Sequence, residues 1–407
     1  MKTIDLKDGE IEEILTPRAI RDRAEKILSL SQKGGTSFAY HPEKLNSTVD
    51  YVLSVIRRNY PDLKIPFHSR WGHFQASGVD RVAKLNSELK SFDPLERARI
   101  KLDLVITSVL LDAGSGPGWS YSEKETGKAI TRSEGLGVAS FHMFMSKVMS
   151  SDSRALRADS AGLKKVSERD LEMAFQVSPS NPLVGVNGRV LLLNNLALAL
   201  ENKTIFKDGR PGNILDYLVG KYGKTIPATG LLRAVLDGLG PIWPGRLVAR
   251  KKNLGDVWVY SGLGEKNTFA SLVPFHKLSQ WLTYSLIEPI LEAGLKVTGV
   301  HELTGLAEYR NGGLILDAGL VSLRNAGDAN RTWRPESDLI IEWRALTVAL
   351  LDRIGLGVRK GLSKSEEEFP LAKVLEGGTW WAGRFLAQDK RQGGGPPLQL
   401  ESDGTVF

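Results

Sequence analysis

The 407-residue sequence predicts a mainly α-helical protein that carries a small β-hairpin or ribbon. Three observations point there. Apolar residues recur at helical spacing along most of the chain, strand-like runs are few and short, and the regular strand–helix alternation that builds a doubly wound sheet is missing. With 42% hydrophobic and 25% charged residues the chain has enough apolar material to bury a sizeable core.

The elements follow in order. Thr16-Pro17 supplies a capping hydroxyl and a proline at the first helical position, and Ile20, Ala24, Ile27 and Leu28 continue on one face. The same periodicity predicts helices near 47–59, 93–112, 135–150, 167–176, 188–201, 213–222 and 229–238, then near 276–293, 336–358 and 365–388. Strand-like runs occur at Asp256–Tyr260, where valines alternate around Trp258, and at Leu314–Leu323, where glycines and β-branched residues break the helical pattern. The turn-rich stretch Val177–Gly188, with Ser178-Pro179-Ser180-Asn181-Pro182, divides an N-terminal helical region (1–180) from a C-terminal one (181–407) that carries most of the chemical motifs, unless the two form one integrated domain. Low complexity is confined to Gly393-Gly394-Gly395-Pro396-Pro397.

Several classes of function are excluded early. With no cysteine, a disulfide framework, thiolate metal ligands and a cysteine nucleophile are ruled out. His68 and His73 are the nearest thing to a metal pair, and their spacing of five lacks helical support, so no metal and no cofactor are expected. The start, MKTIDLKDGEIEE, has acids and no apolar run, and no apolar stretch long enough to span a bilayer occurs, so a cytoplasmic protein with no membrane partner is expected. A net charge of +7 suits an anionic ligand, but the basic residues are scattered, with Arg250-Lys251-Lys252 the one tight cluster, and no nucleic-acid motif accompanies them.

Leu111-Asp112-Ala113-Gly114-Ser115-Gly116-Pro117-Gly118 imitates the glycine loop of a methyltransferase, which needs a strand before it and a helix after it. Here Asp93-Pro94 opens a long amphipathic helix that runs into Leu111, and Trp119–Lys128 reads as a polar hairpin. The glycines are therefore read as a helix terminus and a tight turn.

Three segments concentrate chemistry. In Pro274–Tyr284, Lys277, Gln280 and Tyr284 fall at i, i+3 and i+7 and share a helix face suited to a sugar phosphate, with a solvated stripe as the plain alternative. In Leu303–Gly313, Glu308 follows apolar residues and precedes Tyr309 and Arg310; such a carboxylate acts as a base, stabilises a developing cation, or simply caps a loop. In Leu339–Leu351, apolar on nearly every face, Glu342 and Arg344 lie about 200° apart around the axis, so at least one points into protein, as a structural ion pair or a ligand-binding arginine. His68-Ser69-Arg70-Trp71-Gly72-His73-Phe74 adds bases and aromatics, and His142 is expected to be a satisfied core histidine.

Together with Gly240-Pro241-Ile242-Trp243-Pro244-Gly245-Arg246, the LDAGSGPGW run and the terminal Ser402-Asp403-Gly404-Thr405-Val406-Phe407, these segments resemble the Urc-four/Urg-three family of uracil catabolism along essentially the whole chain. The resemblance implies a pathway in which a ribosyl or phosphoribosyl uracil is ring-opened and a ribosylurea-type intermediate is split. FHKLSQWLTYSL, LTGLAEYRNGG and IEWRALTVALL are also similar, in the same order, to segments of the queuosine-nucleotide N-glycosylases, which implies a helical, DNA-glycosylase-like body. In that family the acid before Tyr-Arg is aspartate, where this chain has Glu308.

The expected reaction is therefore hydrolysis of the N-glycosidic bond of ribosylurea, or its 5′-phosphate, to urea and ribose or its phosphate. Glu308 is expected to stabilise the cationic sugar, with Lys277 and Arg344 on the phosphate or balancing Glu308, Arg310 as an alternate cation, and Gln280, Tyr284 and Glu342 completing the polar lining. His276, Tyr309 and His73 are the expected proton donors to the leaving group, and Trp71, Phe74 and Trp281 the expected walls. A uracil phosphoribosyltransferase and a non-catalytic nucleotide-binding protein are the alternatives. The apolar end of the SDGTVF tail is expected to dock, on the surface or over the site.

Overall fold

The computed structural model describes residues 2–112, 114–243 and 246–401. The terminal SDGTVF, expected to dock, lies outside them. The fold is mainly helical, and its strands are two or three residues long, paired in sheets of two or three strands. Two compact units are built from discontinuous segments: Met1–His68, Gly245–Gln280 and Gly299–Phe407 form the first, and Ser69–Pro244 with Trp281–Thr298 form the second. Residues on both sides of 180 fall in the second unit. The turn there is fastened rather than linking, because the Asn181 side chain accepts from Ser120 N at 2.9 Å and donates to the carbonyls of Ser120 and Gln176 at 2.9 and 2.8 Å.

The first unit is organised on the 25-residue helix Asp338–Leu362. Every side chain from Leu339 to Leu351 is buried, as the all-round apolar pattern requires. The helices Pro17–Gln32, Leu45–Asn59 and Tyr309–Asp317 pack on it, and Ile20, Ile27, Val52, Ile56, Leu314, Ile340, Leu346 and Ile354 form the continuous core. Each fully buried aliphatic side chain of this kind contributes about 1.5–3 kcal/mol. The Pro17 helix begins as read, with the Thr16 hydroxyl accepting from Ala19 N at 3.1 Å. The valine-rich Val257–Val259 is a strand, antiparallel to Leu272–Pro274.

Two readings of this unit are corrected. Leu314–Leu323 is strand only at Val321–Leu323, antiparallel to Phe38–Tyr40, while Leu314–Asp317 ends a helix that starts at Tyr309. A capped first turn and a buried face carrying Leu314 and Ile315 outweigh the glycines there. The segment 365–388 is not one helix. It comprises Leu371–Val374, a π-turn at Leu375–Thr379 and Trp380–Lys390, and Pro370, which lacks an N–H, sets the restart.

The second unit is built around Pro94–Leu110, capped by the Asp93 carboxylate and buried continuously from Ile100 to Leu110. Arg132–Met145, Val186–Ala199, Ile214–Tyr222 and Ala228–Leu239 are among its other helices, and Thr225–Pro227 pairs in parallel with Lys296–Thr298. Tyr121–Ser122 and Ala129–Ile130 form the expected polar hairpin. Asp112 accepts from Arg70 Nη1 at 2.6 Å and from the Ser133 hydroxyl at 2.8 and 2.7 Å, so the acid of the glycine-rich run belongs to a structural network. Among the described residues no helix is long and apolar enough to cross a membrane.

Candidate active site at the start of the Tyr309 helix

The segment Leu303–Ala307 is buried at every position for which a side chain is present, with Leu303 and Thr304 at 0% exposure. It lies so close to the long helix that a Cβ at Gly305 would stand 2.7 Å from Leu351 Cδ1, which explains the glycine in LTGLAEYR. This dry approach delivers the chain to Glu308, whose extended backbone (φ −116°, ψ 166°) makes it the N-cap of Tyr309–Asp317. Its Oε1 accepts from Asn311 N at 2.6 Å and its Oε2 from Arg310 N at 2.7 Å. A glutamate in this role uses both oxygens on orphan backbone donors, and the helix N-terminus favours its negative charge. Glu308 is 7% exposed, so the anion is fixed and nearly dry.

The first turn carries further polar groups. Arg310 is 5% exposed, lies over the Tyr309 ring at 4.9 Å and donates Nη1 to the Gly394 carbonyl at 3.0 Å. Asn311 donates to the Leu306 carbonyl at 3.3 Å. Arg310 Nε and Asn311 Oδ1 are both buried with no hydrogen-bond partner among the described residues. The C-terminal run Gly393–Gly395, read as low complexity, thus contributes a carbonyl to this turn.

Beneath the loop, Arg344 forms a two-pronged ion pair with Asp256, both contacts at 2.7 Å, and stacks over Phe275 at 4.1 Å. Asp256 also accepts from Trp258 Nε1 at 2.6 Å and from Lys277 N at 3.0 Å, which anchors the start of the Lys277–Glu292 helix. Burial pushes the Asp256 carboxyl upward, but Arg344, Trp258 and the Lys277 N–H together hold it well below the usual carboxylate range. Glu342, on the same long helix, accepts from the Tyr260 hydroxyl and from Ser37 N, each at 2.7 Å, and burial raises its pKa. Both Glu342 and Arg344 therefore point into protein, with different partners.

His276 precedes the Lys277 helix with a left-handed backbone (φ +47°) and is 1% exposed. Its Nε2 donates to the Ile14 carbonyl at 3.1 Å, which fixes the tautomer, and burial lowers its pKa so that the ring stays neutral. Gln280, fully buried, donates Nε2 to the Thr304 hydroxyl at 2.7 Å, and its Oε1 has no partner among the described residues. Lys277 is half-buried.

The first unit contains Glu308, Tyr309, Arg310, His276, Lys277, Gln280, Glu342 and Arg344. Trp71, His73, Phe74, Trp281 and Tyr284 belong to the second unit. There Trp71 donates to the Ser285 carbonyl at 2.8 Å and meets Phe74 edge-on at 5.4 Å, His73 meets Trp281 edge-on at 5.7 Å, and Tyr284 is fully buried. Sequence reasoning missed Asp256, which has no local signature because its partner lies 88 positions away. It also missed Glu376, on the π-turn, which meets His68 Nδ1 at 2.8 Å and the Tyr60 hydroxyl at 3.3 Å. The Gly377-Gly378 pair after Glu376 was the one available signal.

Comparison with known proteins agrees with the sequence resemblance. Residues 13–407 match the family described as "Protein of unknown function (DUF1688)". The chain is 38% identical to "Protein urg3" of Schizosaccharomyces pombe, covering 98% of this chain and 99% of that one. It is 37% identical to "Uracil catabolism protein 4" of Lachancea kluyveri, covering 96% and 97% respectively.

Proposed function

The chain belongs to the DUF1688 family, and from that premise we propose that it acts in uracil catabolism as an N-glycosidase, hydrolysing ribosylurea or its 5′-phosphate to urea and ribose or ribose phosphate. One observation carries the reading: Glu308 is a nearly buried carboxylate held by two backbone N–H groups at a helix start. As the C1′–N bond breaks, positive charge grows on the sugar, and an anion already fixed in a dry setting stabilises it without reorganising. Water adds to C1′ and gives up a proton, while the departing urea nitrogen takes one. Tyr309, next in the chain, is the donor this reading prefers, since the Nε2 proton of His276 is committed to Ile14. Lys277 and Arg310 are the cations assigned to a substrate phosphate, whereas Arg344 is committed to Asp256.

The test is urea release from ribosylurea and its 5′-phosphate, comparing the native chain with Glu308→Gln. Glutamine keeps one oxygen for the cap, so the variant folds, and kcat is expected to fall by about 10²–10³-fold. Full activity in the folded variant discards Glu308. Absence of urea from either substrate with the native chain discards the hydrolase and directs attention to phosphoribosyl transfer, which requires pyrophosphate chemistry and magnesium.

A further inference from the structure

The first unit holds a second ionisable pair that the N-glycosidase reading does not yet use. His68 Nδ1 lies 2.8 Å from Glu376 Oε2, and the Tyr60 hydroxyl donates to Glu376 Oε1 at 3.3 Å. An ionised carboxylate only accepts, so Nδ1 carries the proton and Nε2 of the neutral ring keeps its lone pair. Among the described residues nothing bonds Nε2, and that atom is not sealed from solvent, although His68 as a whole is 7% exposed. A carboxylate that fixes the tautomer of an imidazole, with the other ring nitrogen open, is the arrangement a general base requires. The other histidine–glutamate contact, His142 Nε2 to Glu123 Oε1 at 3.2 Å, is different. Arg81 already takes both Glu123 oxygens, and His142 is a half-buried ring rather than the core histidine expected.

Local packing holds the pair in place. Glu376 sits on the π-turn Leu375–Thr379, a distortion found frequently at functional sites. Glycines follow it because side chains would not fit: a Cβ at Gly377 would stand 2.5 Å from Ile65 Cδ1, and one at Gly378 2.6 Å from Val52 Cγ1. His68 N donates to the Ala372 carbonyl at 3.0 Å, and its ring meets Trp380 at 6.1 Å and 42°. Burial and the Glu376 charge push the Tyr60 pKa upward, so the phenol stays a donor. Glu376, Tyr60 and, over the Trp380 ring at 5.3 Å, Arg384 are the charged or titratable groups that meet the pair and its aromatic neighbour.

Two observations place this pair at the Glu308 end of the Tyr309 helix. Arg391, just past the Trp380 helix, pairs with Asp317 at the end of the Tyr309 helix at 2.8 Å, and Gly383 abuts the Arg310 carbonyl. The two helices therefore run in the same direction with their first turns side by side. Glu376 precedes Trp380 by four residues, one turn or about 5 Å along the axis, which carries it beyond the Glu308 cap. Leu371, next to the Ala372 that holds His68, also packs on the approach to Glu308: its Cδ2 is 3.3 Å from where a Cβ at Gly305 would stand.

We propose that His68, oriented by Glu376, is the base that takes the proton of the attacking water through Nε2. The assignment rests on the N-glycosidase reading and completes its proton balance. The water oxygen bonds to C1′ as its O–H proton passes to Nε2, the C1′–N electron pair leaves with the urea nitrogen, and the donor already assigned protonates that nitrogen. The imidazolium then returns its proton to solvent.

The test is the pH profile of urea release by the full chain and two variants, each checked for folding by circular dichroism. The native kcat is expected to fall on the acid side as Nε2 becomes protonated. His68→Gln should lower kcat by about 10²-fold or more and abolish that acid limb, with KM changed by less than about threefold. Glu376→Gln keeps an acceptor for Nδ1 but removes the charge that favours the imidazolium, so it should lower kcat by about tenfold and move the limb to lower pH. If His68→Gln does not fold, the Glu376→Gln profile decides alone. A native profile without an acid limb, a folded His68→Gln with kcat within about threefold of native, or a limb unmoved in Glu376→Gln overturns the proposal. Absence of urea from the native chain removes the N-glycosidase reading and this base together, whereas urea release that survives the loss of His68 removes the base alone.

Discussion

His276 holds a left-handed backbone that costs a non-glycine residue about 1–2 kcal/mol, and it keeps that conformation because its ring is locked to the Ile14 carbonyl. Burial lowers its pKa. In the unfolded chain it titrates near 6.5, so below that pH the unfolded state binds a proton that the native state does not. The stabilisation from a neutral His276 is therefore complete above about pH 6.5 and is lost as pH falls toward the lower native value, by at most about 1.4 kcal/mol per pH unit. Equilibrium unfolding at about pH 7.5 and pH 5.5 should show this, and His276→Gln should lose less stability over the interval. The Asp256–Arg344 pair makes a second residue-scale case. Asp256→Asn leaves a 1%-exposed guanidinium without its counter-ion and should cost about 3–5 kcal/mol in a urea melt, and Asp256→Asn/Arg344→Met should recover most of it. Glu308 was legible in the sequence because a lone acid after a dry run needs a reason. Asp256 was not, since the ion pair exists only once residues 88 apart have met.

Elements were legible where local chemistry decides them. Thr16-Pro17 and Asp93-Pro94 announce helix starts that the structure realises with side-chain caps at Ala19 N and at Leu95 N and Glu96 N. They were misread where packing decides. Leu314 and Ile315 look strand-like among glycines, but Gly312 serves close approach: a Cβ there would stand 2.7 Å from the Trp343 ring. The 365–388 segment reads as one amphipathic run because a π-turn shifts the register by one residue without leaving a compositional mark. The Trp380–Lys390 helix meets the Tyr309 helix at Gly383, where a Cβ would lie 2.2 Å from the Arg310 carbonyl oxygen. Backbone cannot yield as a side-chain end can. Gly383→Ala should therefore destabilise the first unit by about 1–3 kcal/mol or more and disturb the turn that Glu308 caps. A thermal melt and the urea-release assay on the same sample check both effects.

At the scale of the whole chain, neither unit is continuous in sequence. Net charge, in contrast, is fully legible: 54 basic against 47 acidic residues give +7. On the N-glycosidase reading this distinguishes the two candidate substrates. A phosphate ester carries about two negative charges at neutral pH and is attracted over distances beyond contact, whereas ribosylurea is uncharged. Added salt shortens the screening length from about 10 Å at 0.1 M to about 3 Å at 1 M, so it weakens long-range attraction and the phosphate contacts proposed for the half-buried Lys277 but leaves a dry carboxylate such as Glu308 little affected. For the 5′-phosphate, kcat/KM should fall several-fold from low to high salt while kcat holds. For ribosylurea, neither constant should move. A phosphate ester whose kcat/KM is flat across that range would mean that the positive charge takes no part in capture, and Lys277 and Arg310 would then lose their assignment.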